Sequence, residues 1–247
     1  MSDKMSLGDR MKKYEKIETG DRFIPCLPVY VRIDGRSFSK FTKSMNKPYD
    51  ERMSRVMQEV TKALVEETGA SIGYTQSDEI SLVFYQDSIE SSIFFDYKKQ
   101  KMVSVIAGLT SSLFMKFCMK QMPEYCENSV PCFDCRAFSL PSKGEAMNAV
   151  LWRVKDATKN SVSMAARSLF SHRELQGKKQ NDMIAMMLGK DVDWNKYPKY
   201  FKEGSFFKRV SYLNDQQVNR HKVEEILQDI SFLDLTAEEK VDLIFRK

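Results

Sequence analysis

Histidine is nearly missing from this chain, with two residues in 247. That scarcity argues against a structural zinc site. The five cysteines, at 26, 118, 126, 132 and 135, are odd in number and irregularly spaced, which argues against a disulfide scaffold. Cys132 and Cys135 form a C-x-x-C pair, but in the extended run PCFDCRAFSL residues three apart point to opposite faces, so neither redox nor zinc duty is expected of them. Charge of one sign is not in large excess either. Thirty-nine Lys and Arg against 34 Asp and Glu leave +5, which permits a polyanionic partner without demanding one, and any basic face must be local. The opening MSDKMSLGDRMKKYE has no apolar core to engage a secretion or membrane apparatus. The richest apolar stretch, MVSVIAGLTSSLFMKFCM from Met102, is interrupted by polar groups and Lys116 and reads as a buried helix. There is no repeat or low-complexity tract. The expectation is a soluble cytoplasmic protein with no membrane partner, long enough for a full core as one large domain or as a catalytic domain with an appendage.

What is present is a series of short apolar runs ending in acidic residues. After a polar, helix-compatible start to about Glu18, Val29, Val31 and Ile33 alternate with Tyr30, Arg32 and Asp34, which predicts a strand with Asp34 emerging at its end on the polar side. Pro48, Asp50 and Glu51 open a helix that closes at Gly69. Strands follow over Ile72 to Gln76 and Ile80 to Tyr85, with Ser77, Asp78 and Glu79 at the hairpin tip. A long helix is predicted from Ser92 to Gln121, stopping before Pro123, and a fourth strand from Cys132 to Leu140. The order β-α-β-β-α-β is the ferredoxin-like arrangement, so the fold class is α+β, a polymerase or cyclase palm over residues 1–142. Residues 143–247 read as a mainly helical extension: Gly144 to Phe170, Gly177 to Leu188, Asn219 to Ile230 and Thr236 to Phe245, with one further strand near Lys208 to Ser211.

Phosphoryl and nucleotidyl transfer requires cations to neutralise charge on the reacting oxygens, and two metals about 3.5–4 Å apart serve both sides of the reaction. Asp34 and Asp78, on adjacent strands, have the chemistry to bridge such a pair. Gly35 lets the backbone approach a phosphate or offer its carbonyl to a metal, and Gly35, Arg36, Ser37 and Phe38 supply amides for an anion nest. Asp34-Gly35 also reads as an ordinary turn, and Asp78-Glu79 as a solvated hairpin tip. Lys98 and Lys101 share a face near a helix start, either as phosphate clamps or as a solvated charge run. Arg153, Asp156, Lys159 and Asn160 make one polar helical stripe that suits a nucleotide or water. Basic residues in the second half, Arg153, Lys159, Lys178, Lys179, Lys208 and Arg209, are candidates for an RNA surface read by shape and phosphate charge.

The runs RIDGRSFSKF, NKPYD, QSDEISLVF, FDCR, LWRVKDATKNS and LQGKK resemble, in order and spacing, the tRNA-histidine guanylyltransferases and their Thg1-like relatives, the 3′–5′ RNA polymerases, over about residues 10–210. The resemblance implies a palm with two Mg2+ ions, ATP and GTP or other nucleoside triphosphates as substrates, tRNA rather than DNA as partner, and a homotetramer. It implies metal ligation by Asp34, Gly35 and Asp78, with Glu79 the acidic partner of Asp78. It also implies triphosphate contacts at Lys47, Ser77, Lys98 and Lys101, and a helical signature at Asp156 and Asn160. Members that act on histidine tRNA carry a His-Ile-Asn-Asn run after Trp-Arg-x-x-Asp; this chain has Lys159-Asn160-Ser161-Val162, with Lys159 in place of the histidine. Cys135 stands where glycine is common, a packing variation. The expected function is therefore template-dependent addition to the 5′ end of truncated tRNA after activation by ATP. The alternatives are a histidine-tRNA-specific guanylyltransferase, a palm-type nucleotidyl cyclase, against which the basic extension argues, and an RNA-binding module with a degenerate site, against which the retained carboxylates argue.

Overall fold

The computed structural model describes residues 5–127, 129–213 and 219–246. The polar opening segment is α1 (Leu7–Thr19), started by Ser6, whose hydroxyl accepts from the Asp9 amide; none of the helix is buried. The alternation around Asp34 becomes β1 (Val29–Gly35), followed by a single helical turn, α2 (Phe38–Phe41). Asp50 caps α3 (Glu51–Thr68), and Gly69 ends it in the left-handed conformation. Val56, Val60 and Leu64 of α3 are fully buried, at about 1.5–3 kcal/mol of burial per side chain. Strands β2 (Ile72–Gln76) and β3 (Glu79–Phe84) pair with Gln76 opposite Glu79, so Ser77 and Asp78 form a two-residue tip, with Ser77 at φ 51°.

The second long helix starts later than its sequence predicts. Phe94–Tyr97 form a 3-10 turn in which Phe95, Asp96 and Tyr97 take φ values of 54°, 52° and 62°, and α4 runs Lys99–Gln121. By length and composition α4 is the one helix among the described residues able to cross a membrane. In the fold, its stripe of Met102, Ile106, Thr110, Phe114 and Cys118 is buried, and the helix packs on α3 and β4. After α5 (Pro123–Cys126), Cys126 is disulfide-bonded to Cys118, a pairing that the cysteine count did not anticipate; Cys26, Cys132 and Cys135 are free. Burial pushes the Cys135 thiol up to about 12, as an inert packing residue requires. Strand β4 (Phe133–Ser139) completes the β-α-β-β-α-β order.

Helices α6 (Lys143–Arg167), α7 (His172–Leu175), α8 (Gln180–Leu188) and α9 (Lys199–Lys202) come next. The helix expected over Asn219 to Ile230 is instead a strand. β5 (Ser205–Leu213) and β6 (Asn219–Ile226) pair from Phe206–Ile226 outward to Leu213–Asn219. The dense Glu, Lys and Arg of this stretch suit a helix surface, but Val223 and Ile226 are satisfied only by a strand partner that local reading does not see. The chain after residue 142 thus adds two strands as well as helices, and α10 (Ala237–Phe245) follows behind a Thr236–Glu239 capping box.

The six strands among the described residues form one antiparallel sheet in the order β4-β1-β3-β2-β5-β6. The core cluster that joins α3 and α4 to the sheet includes Val31, Ile33, Ile80 and Leu82; the cluster that joins α6 and α10 to its other face includes Tyr30, Ile72, Tyr74 and Phe206. Tyr30 lies on the side of β1 that alternation marks as polar, yet it is fully buried and its hydroxyl donates to Ser81 at 2.6 Å. The end of β1, the β2–β3 tip and the start of α3 share one end of the sheet. α4 approaches that end with its C-terminal half, where the Phe114 ring lies 5.3 Å from the rings of both Phe38 and Phe133.

Candidate active site

The Gly35 amide donates to the Asp78 carbonyl at 3.1 Å, which ties the end of β1 to the β2–β3 tip and makes neighbours of Asp34 and Asp78. Burial, and then the charge of Asp34, raise the Asp78 carboxyl above its ordinary value, against the pull of its own amide and the Ser77 hydroxyl. Gly35 is required by sterics: a Cβ there would fall inside the ring of Phe38, which is itself wedged among Phe41, Phe114 and Phe133. Among the described residues no three His, Cys, Asp or Glu side chains form a metal cage. The donors at this end are two carboxylates and a main-chain oxygen. Such a hard, oxygen-only, incomplete set suits a small divalent cation whose remaining ligands are water and substrate phosphate.

Glu79 has a different role from Asp78. It lies opposite Asp34 in the β1–β3 register, but its two carboxylate oxygens accept from Arg153 Nε at 2.6 Å and Nη2 at 2.7 Å. Burial pushes the Glu79 carboxyl up and Arg153 pulls it back. Arg153 is buried and also pairs with Asp156 at 3.2 Å, and Asn160 donates to Asp156 at 3.1 Å. This corrects the expectation that Arg153 faces RNA: it is the internal counter-charge that lets Glu79 be buried beside Asp34. Removing one member of such a pair costs about 3–5 kcal/mol. Asp156 and Asn160 extend the same chain of contacts along α6 toward solvent.

Asp78 lines a cavity of about 300 Å³ together with Phe38, Met45, Met53, Met164, Ser77 and Lys47. Its far wall comes from Tyr200 and Phe201 of α9; Tyr49 stacks on Phe201 with ring centroids 4.5 Å apart. A cavity of this size, lined by aromatic and methionine side chains interleaved with as many polar groups, can take a heterocyclic base together with its phosphates. The expected nest of amides is smaller than its sequence promised. Gly35 donates to Asp78 and Arg36 donates to the Cys132 carbonyl at 2.9 Å, so neither amide is available to an anion, whereas Ser37 takes φ 58° and stays exposed.

Lys98 and Lys101 do not join this site. Thirteen residues of α4 separate Lys101 from Phe114, about 20 Å along the helix, and it is the Phe114 end that reaches Gly35 and Phe38. Lys98 precedes the first helical turn, and both lysines line a separate basic cleft with Lys12, Lys16 and Arg22. Lys208 is also reassigned: half-buried, its ammonium donates to the carbonyls of Leu243 and Arg246 and closes the C-terminus of α10. Lys159, Lys178, Lys179 and Arg209 are exposed.

Two residues on the face of Asp34 are not singled out by the sequence. Asp134 of β4 stands directly opposite Asp34, and Arg136 stands opposite Arg32, two residues back on the same face. The alternation of charged residues in both RIDG and FDCR was the available signal, but only the register says that the two runs are side by side.

Paired carboxylates at the end of a sheet, next to a base-sized slot, define an enzyme suited to cation-assisted nucleotide transfer. The family model for Thg1, tRNA(His) guanylyltransferase, matches residues 8–141, and the chain belongs to this family of tRNA nucleotidyltransferases. An uncharacterized protein of Acanthamoeba polyphaga mimivirus is 30% identical over 86% of this chain and 80% of its own length. The tRNA(His) guanylyltransferase of Schizosaccharomyces pombe is 27% identical over 81% and 78%. Bacterial Thg1-like protein solved with ATP superposes with a TM-score of 0.83 at 31% identity, covering 98% of this chain and all of that one. In complex with GTP the values are 0.78 and 29%, with the same coverage.

Proposed function

We propose that this protein is a template-dependent 3′–5′ nucleotidyltransferase that restores missing nucleotides at the 5′ end of truncated tRNA, after ATP activates the 5′-phosphate. The observation that carries the reading is the Asp34–Asp78 pair, locked by the Gly35–Asp78 hydrogen bond beside the base-sized slot. In this reading residues 1–142 are a palm of the polymerase and cyclase type, and residues 143–247 an extension that carries the tRNA surface. The protein works in the cytoplasm as a homotetramer.

Asp34, Asp78 and the Gly35 carbonyl would hold Mg2+, two ions per site, which when bound lower the pKa of an attacking hydroxyl and offset charge on the leaving group. The mutual repulsion of Asp34 and Asp78 is the electrostatic reason for a cation there. The chain's own residues do the rest. The Phe38–Met164 slot takes the base of ATP, GTP or another triphosphate, and Ser77, Ser37 and the Lys47 ammonium flank its phosphates. Glu79 and Arg153 hold β3 against α6 so that Asp34 keeps its place. Lys159, Lys178, Lys179 and Arg209 meet tRNA phosphates. Base pairing with the opposite strand, rather than a side chain, selects the nucleotide.

Support for repair over histidine-tRNA specificity is that α6 contains no histidine, and that Lys159 is exposed to solvent. The test offers the protein full-length histidine tRNA and 5′-truncated tRNAs of other identities, with magnesium, ATP and all four triphosphates. Guanylate should appear opposite cytidine on several truncated tRNAs and addition should stop when the stem is complete; Asp34→Ala and Asp78→Ala should each lose activity at least about a hundredfold while folded. Addition confined to full-length histidine tRNA would select the histidine-specific reading.

A further inference from the structure

Along the α6 side of the β1/β4 edge, register sets three neighbouring pairs: Asp34 beside Asp134, Arg32 beside Arg136, Tyr30 beside Phe138. Tyr30 is fully buried, but cover stops short of β4, where Asp134, Arg136 and Phe138 are all exposed, Phe138 at 41%. On the flank of α6 next to this row stands Trp152, 52% exposed, with the Arg153 guanidinium 4.7 Å and the Arg32 guanidinium 5.7 Å from its ring centroid. Arg32 is half-buried and has no hydrogen bond or ion pair among the described residues. Among the described residues Arg136 has only the exposed Asp134 as ion-pair partner, at 3.3 Å, a contact of the kind that contributes little and is readily exchanged.

Single exposed apolar residues call for no explanation. Here two exposed rings and two under-partnered guanidiniums share one face, which begins at Asp34 and reaches Phe138 after four residues of strand, about 14 Å. Cations spaced between aromatic faces are the composition of a surface for unpaired nucleic acid: phosphates take the guanidiniums, and bases, whose faces are free only when unpaired, take the rings. A duplex offers phosphates but no base face, so it would leave Trp152 and Phe138 unused.

We propose that this face is a track for single-stranded RNA, holding the unpaired strand that extends past the reacting 5′ end, with Trp152 and Phe138 as stacking rings and Arg32 and Arg136 as phosphate contacts. The proposal rests on RNA being the substrate. It adds that the protein distinguishes a duplex end with a single-stranded 3′ extension from a blunt one.

The test measures binding by fluorescence anisotropy, without nucleotide, of a blunt RNA hairpin and of the same hairpin carrying four unpaired 3′ nucleotides. Wild-type protein should bind the extended hairpin about tenfold more tightly. Trp152→Ala with Phe138→Ala should abolish that preference while leaving blunt-hairpin affinity and ATP affinity unchanged, and Trp152→Phe, which keeps a ring, should retain it. A preference that survives the double alanine variant overturns the track, as does an equal loss on both hairpins or a loss confined to ATP. Equal wild-type affinity for the two hairpins overturns the track alone, whereas no affinity for either overturns the RNA reading with it.

Discussion

The Asp78 carboxyl is held in place at the expense of the fold. Its pKa is raised by burial and by Asp34, so between the ordinary aspartate value and that raised value the folded state binds more protons than the unfolded chain. Stability therefore falls as pH rises through this window, and the loss persists above it. Asp78→Asn is expected to raise Tm at pH 7 in the absence of divalent ions, and to show no such gain below the ordinary aspartate pKa, where both side chains are neutral. Millimolar magnesium should raise the Tm of the wild type and not of the variant. Thermal melts at two pH values, with and without the ion, check all three statements. A Tm for Asp78→Asn below that of the wild type at pH 7 would mean that the carboxylate is a structural partner rather than a strained ligand.

Among the elements, the β5–β6 hairpin and α10 show how a basic run divides between an internal contact and an exposed charge. Lys208 and Arg209 are adjacent in sequence but lie on opposite faces of β5: Lys208 donates to two carbonyls of α10, whereas Arg209 is exposed. Burial lowers the Lys208 ammonium, as its position between the strand and the helix end requires. Lys208→Met leaves helix-terminal carbonyls without their donor and is expected to cost about 1–3 kcal/mol with RNA affinity unchanged. Arg209→Ala should do the reverse. Urea melts and RNA titrations on the two variants separate the roles.

For the whole molecule a net charge of +5 is too small to bind RNA by itself, so affinity depends on where the exposed cations lie. With about four phosphate contacts, RNA affinity should fall roughly a hundredfold between 50 and 200 mM salt. A flat titration over that range would remove Lys159, Lys178, Lys179 and Arg209 from the RNA surface. The Lys98–Lys101 cleft stands apart from the acidic end by most of the length of α4, so alanine substitution there is expected to leave nucleotide affinity at the chain's own acidic centre unchanged, as equilibrium dialysis with ATP would measure.

Local chemistry is legible wherever it is settled within a few residues. Alternation marks β1, the Asp50 cap and Gly69 bound α3, and the acidic turn after Gln76 makes a hairpin of β2 and β3, with Glu79 joining β3 rather than the tip, so Asp34, Gly35 and Asp78 are identifiable as the acidic end before any fold is known. The sequence by itself therefore determined where the carboxylates of the acidic end stand along the chain and which short elements carry them. What only the tertiary structure decided is which distant groups meet. Arg153 turns inward because β3 presents a buried carboxylate to α6; Lys98 and Lys101 are carried away because α4 approaches the site with its other end; and residues 219–226 become a strand because β5 offers them a partner. The first two outcomes depend on contacts between residues more than 70 positions apart and the third on pairs 6 to 20 apart, and in all of them burial and pairing outweigh the few tenths of a kcal/mol by which local propensity distinguishes one state from another.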